Sequence, residues 1–164
     1  MDKLIQDLVN LLREMLLTQQ RILQIATARQ EAMKSFDIER LNTLTEQERS
    51  EIQKADAYES RRKLLAQQFK NVLGKGFDPT VSEIAKRAAE PTRGQILGLA
   101  AQLKAVIGEV DSATRINAKI SETVVKSLAK VLKIMTGLAQ HAGLYMRNGR
   151  KAALKGIHIL EVTA

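Results

Sequence analysis

The sequence predicts an all-α protein: an elongated antiparallel helical bundle or coiled-coil hairpin, with two N-terminal helices, a short third helix and one very long C-terminal helix, followed by a flexible tail. Three observations lead there. Apolar residues make up 45% of the 164, but aromatics only 3% with no Trp, so a core must be assembled from Leu, Ile, Val, Ala and Met, the side chains of helix packing. The two prolines, Pro79 and Pro91, lie near the middle and leave long arms without a strong helix breaker. In both arms apolar residues recur at alternating steps of three and four, the spacing of one helix face. Length fits one domain, divided as a helical bundle over residues 1–142 and a flexible basic tail over 143–164.

The first helix is carried by Ile5, Leu8, Leu12, Met15, Ile22, Ala26 and Met33, with Gln19 and Arg29 as polar interruptions. Leu4, Leu11, Leu16 and Leu23 widen this stripe beyond a two-helix seam, as expected of a helix with two neighbours. Ser35-Phe36-Asp37 then breaks the rhythm, and Asp37 can accept the free amides of a second helix beginning at Ile38. The apolar residues of that helix are Ile38, Leu41, Leu44, Ile52, Ala55, Leu65, Phe69 and Val72. Its strongly charged middle, between Thr45 and Lys63, is expected to be its more exposed and mobile part. Gly74 stands where a C-terminal cap needs positive φ. Thr80 and Glu83 fit a capping box for a short helix ending near Glu90.

Pro91 suits the first turn of the longest helix, expected from about Thr92 to about Ala142. Leu99, Leu103, Val106, Val110, Ala113, Asn117, Ile120, Val124, Ser127, Val131, Ile134 and Leu138 follow steps of four and three without a slip. About fifty residues at 1.5 Å each would make a rod of roughly 75 Å, more than the first helix can cover. From Ile120 onward Val125, Leu128, Leu132 and Met135 add a second apolar stripe beside the first. The end of this helix therefore carries more apolar surface than one partner would hide. Gly143 is expected to close it. The tail beyond holds Gly143, Gly149 and Gly156, four basic residues and one acid, and its apolar β-branched end, Ile157 to Val162, suits an extended docking strand.

Reactive chemistry has little foothold. There is no cysteine, which excludes disulfides, thiolate metal sites and cysteine nucleophiles and fits a reducing cytosol. No phosphate loop, dinucleotide glycine fingerprint or zinc-hydrolase helix motif occurs. His141 and His158 read as surface or tail residues, and Glu46/Glu48 and Glu109/Asp111 as solvated faces. No catalytic residue, cofactor, metal or small-molecule substrate is expected, and the protein is read as a non-enzyme. The N-terminal seventeen residues alternate charge with apolar side chains, unlike a signal peptide or a membrane span. Net charge is +8, with 12 basic and 11 acidic residues in 1–73 and 14 basic against 7 acidic in 74–164.

Leu144-Tyr145-Met146-Arg147-Asn148-Gly149-Arg150 after the long helix, and Arg115-Ile116-Asn117-Ala118-Lys119-Ile120 within it, complete a layout that resembles the FlgN flagellar chaperones. The family has a Leu-Tyr-Gly-x-x-Gly-like stretch at the first place, where Met146 replaces the glycine, and spaced asparagines at the second, where Thr114 replaces the first. The resemblance implies a cytoplasmic, non-enzymatic chaperone of flagellar type III export. It would bind the C-terminal segments of hook-associated (hook–filament junction) proteins and deliver them to an export gate component at the membrane. Carried over by position, Ile120, Val124, Val125, Leu128, Leu132 and Met135, with Asn148 and Gly149, would contact partners, and Tyr145 would dock on the gate. Asn117 is read instead as a buried polar residue that fixes register.

Two other readings compete. The apolar end of the long helix would also serve as a homodimer seam, as in a structural coiled-coil adaptor. Lys126, Lys130, Lys133, Arg147, Arg150, Lys151 and Lys155 would supply phosphate contacts in a basic helical nucleic-acid-binding protein, although neither a helix-turn-helix spacing nor a stacking set of aromatics accompanies them.

Overall fold

Each helix boundary follows from a local cause. In the computed structural model, which describes residues 1–74 and 76–142 with side chains through residue 137, four helices follow one another: α1 (Asp2–Lys34), α2 (Ile38–Leu73), α3 (Val81–Ala85) and α4 (Thr92–Ala142). The turn between α1 and α2 places Phe36 at φ 55°, a left-handed conformation usually left to glycine. The Asp37 N–H donates to the Ala32 carbonyl at 3.0 Å and the Phe36 N–H to that of Met33 at 3.3 Å, so two carbonyls at the end of α1 are satisfied. Asp37 then caps α2, its carboxylate accepting from the Arg40 N–H at 3.0 Å. Gly74 ends α2 with φ 100°.

The expected third helix is shorter than its sequence suggests. Thr80 accepts from the Glu83 N–H at 3.2 Å, but the reciprocal half of the capping box is missing because Glu83 pairs with Lys86 and the Thr80 N–H donates to Asp78. The helix ends at Ala85 rather than near Glu90. Arg87 and Ala88 continue as tight turns onto the carbonyls of Ile84 and Ala85, and the residue before a proline is disfavoured in helical conformation. Glu90 instead caps the start of α4, accepting from the Gly94 N–H at 3.2 Å.

Residues Met1–Ser121 form one compact unit. Within it α1 and α2 are antiparallel: Glu14 meets Tyr58, Arg21 meets Glu51 and Arg29 meets Glu48, partners descending as the first number rises. The core gathers α1 residues Ile5, Leu8, Val9, Leu11, Leu12 and Leu16 with Leu65 and Phe69 of α2, Ile84 and Ala85 of α3, and Ile96 and Leu103 of α4. Full burial of one such side chain contributes roughly 1.5–3 kcal/mol. Farther along, Asn117 Nδ2 donates to the Ala26 carbonyl at 2.9 Å and Ser121 Oγ to Met33 Sδ at 3.2 Å. Contacts of α4 with α1 thus ascend together, so the two run in the same direction.

The charged middle of α2 is mostly exposed, as expected, with Glu51 its one buried residue. It is packed against α1 by polar contacts, with Glu51 buried between Arg21 at 3.7 Å and Lys54 at 2.7 Å, Glu48 joined to Arg29, and the Tyr58 hydroxyl donating to Glu14 at 3.1 Å. Losing that donation on ionisation holds the Tyr58 pKa above its ordinary value. Charged side chains serve here as seam residues. Conversely Ile38, Ile52 and Val72, three of the apolar residues of α2, are exposed.

Candidate partner-binding face

Along the compact unit, α4 turns its three-four stripe inward. Ile96, Leu103, Ala113 and Asn117 are buried, and Leu99, Val106, Val110 and Ile120 are half-buried between them. Ile120, expected among the partner-binding residues, is half-buried at the end of this stripe. Asn117 is held by its bond to Ala26, while its Oδ1 has no hydrogen-bond partner among the described residues. This is the placement of a register residue: a misaligned neighbour would leave the amide donor unpaired as well, at a cost of about 1–3 kcal/mol.

Residues 122–164 make up the second unit, described here for its helical part. The spacing of apolar residues continues, but their burial does not. Val124 is half-buried, whereas Val125 is 64% exposed, Leu128 and Val131 51%, and Leu132, Ile134 and Met135 61%. At about 100° per residue these side chains cover roughly half of the helix circumference. No charged residue interrupts that half. The opposite half carries Lys126, Lys130 and Lys133, of which Lys126 pairs with Glu122. Such a face is aliphatic apart from Ser127 and about three turns long, the form of surface onto which an amphipathic helix packs with anchors at three- and four-residue spacing.

Of the nine residues expected to bind partners, Val125, Leu128, Leu132 and Met135 lie together on this face with Val124 at its edge. Tyr145, Asn148 and Gly149 lie outside the described residues, as do Gly143, His158 and the apolar tail end. Val131 and Ile134, which continue the first stripe in the sequence, lie on the same face, because that stripe is covered in one unit and open in the other. No cluster of His, Asp or Glu with metal-ligand geometry occurs among the described residues.

A family model described as FlgN protein matches residues 1–153. The chain belongs to the FlgN family. It is thereby a flagellar export chaperone, of a family of binding proteins rather than enzymes. No curated protein and no solved structure gives a match. The matched span runs through the whole apolar face and on past Tyr145, so both features fall within the part of the chain that carries the family likeness.

Proposed function

We propose that this FlgN-family chaperone works in the cytoplasm, capturing the C-terminal segment of a hook-associated protein on the apolar face of α4 between Val124 and Met135 and delivering it to the export gate. The exposure of six large aliphatic side chains on one half of a helix carries the reading. A segment that orders on binding loses conformational entropy and needs a broad apolar strip to offset it. This face supplies such a strip without a buried charge, and its modest area suits a complex that must later be given up. In the same reading Tyr145 serves the handover, an amphipathic phenol being suited to a transient interface.

Leu128→Asp and Leu132→Asp test the capture step. Placing a carboxylate in a desolvated contact costs several kcal/mol, so affinity for a hook-associated C-terminal peptide should fall on the order of a hundredfold while circular dichroism and melting stay as in wild type. Unchanged affinity in both variants, or a wild-type dimer that both dissociate, assigns the face to another occupant. Tyr145→Ala should keep peptide affinity and lose binding to the gate component in a pull-down; loss of the peptide instead would move Tyr145 into the capture site.

A further inference from the structure

We infer that the C-terminal part of α4 is also an in-plane docking element for anionic lipid surfaces. Two observations meet in one segment. One is the open apolar half of the helix, with Leu128, Leu132 and Met135 each more than half exposed. The other is charge: between Glu122 and Glu161 the sequence has no acidic residue at all, while it has seven Lys and Arg. Lys130 and Lys133 make no ion pair among the described residues, and the acid preceding them, Glu122, is taken up by Lys126.

A basic amphipathic helix of this kind has both halves satisfied at an anionic membrane interface. Its aliphatic side enters the boundary between headgroups and acyl chains, and its lysines, with long stems that reach back to the phosphates, stay in water. No helix among the described residues is long and apolar enough to cross a membrane, so the element lies on the surface. Each basic residue near an anionic leaflet strengthens binding roughly fivefold. Arg147, Arg150, Lys151 and Lys155 add positive charge to the same stretch of sequence, which no acid offsets before Glu161. A nucleic acid would use the lysines but leave the aliphatic half in water. Lipid and cargo would share the apolar side chains, and the lysines opposite them separate the two, since these serve lipid and not an apolar peptide.

Co-sedimentation of the full chain with vesicles decides it. Wild type should pellet with vesicles of equal parts phosphatidylcholine and phosphatidylglycerol and stay in solution with phosphatidylcholine alone. The double variant Lys130→Glu/Lys133→Glu should reduce partitioning at least about tenfold while peptide capture is unchanged. Leu132→Asp should reduce it about as much, with the helical signal intact. Absence of pelleting with anionic vesicles overturns the inference. So does pelleting that Leu132→Asp leaves untouched, since the binding would then be charge alone. An oligonucleotide duplex that binds the Leu132→Asp variant as tightly as wild type and strips both from vesicles would assign the lysines to nucleic acid and overturn it too.

Discussion

In α4 the three-four spacing runs without a slip from Ile96 to Ile134, with only Asn117 and Ser127 polar, yet Ile96, Leu103 and Ala113 are buried while Val131 and Ile134 are more than half exposed. Composition does not separate the two regions, since both stripes are aliphatic. The covered stripe has α1 along it, and α1 is nearly spent where Met33 meets Ser121. Periodicity records that a helix has an apolar face; the length of a different element decides whether the chain covers that face itself. In a binding protein the uncovered part is the useful part, because apolar area left in water is free energy available to a partner.

The sharpest way to break this comparison is to truncate one residue in each region. Ile96 is 0% exposed, so Ile96→Ala should lose about 3 kcal/mol of unfolding free energy in urea. Leu132→Ala, at 61% exposure, should stay within about 0.5 kcal/mol of wild type. Equal losses would mean that the second region is covered after all. Asn117 allows a finer cut. Replacing a buried amide with an unpaired oxygen by an apolar side chain of similar size removes a desolvation cost and one hydrogen bond together. Asn117→Leu should therefore lie within about 1 kcal/mol of wild type, with a less specific alignment of α4 on α1 visible as broadened amide signals; a loss well above 2 kcal/mol would make the residue a stabiliser rather than a register device.

The smallest effect concerns the polar side of α2. Arg62 donates to Glu59 through Nε at 2.7 Å and Nη2 at 2.8 Å and holds that carboxyl below its ordinary value. A depressed acid adds stability that is present above its unfolded pKa and lost as pH falls through the folded one. For an exposed pair three residues apart this is worth only about 0.3 kcal/mol. Glu59→Gln should lose about that amount at neutral pH and converge with wild type below about pH 4; a much larger loss at neutral pH would show a role in the α1 contact.

Much of the fold was legible in the sequence because its signals are local. Asp37 and Gly74 announce their caps by side chain and by φ, and the run from Thr92 to Ala142 needs no tertiary information to be helical. Asn117 was legible as a polar residue inside an apolar stripe. Other features required the third dimension. Phe36 in a left-handed turn has no sequence signal, since glycine would be expected there. Glu51 buries itself only because Arg21 stands across the seam, and a charged run on one helix does not reveal the charges facing it. The apolar surplus at the end of α4 was legible, but not that Ile120 is half-buried where Val125 is exposed, because where cover ends depends on the last turn of α1.

The shared direction of α1 and α4 has a consequence for the order in which the protein comes off the ribosome. The first helix can find α2 as soon as the antiparallel hairpin has emerged, but the side of α1 marked by Ala26 and Met33 waits for Asn117 and Ser121. At about 5–20 residues per second that side stays bare for seconds while the short α3 and the first half of α4 are made. The nascent hairpin thus passes through a stage in which Met33 and its neighbours face water until the second half of the chain arrives.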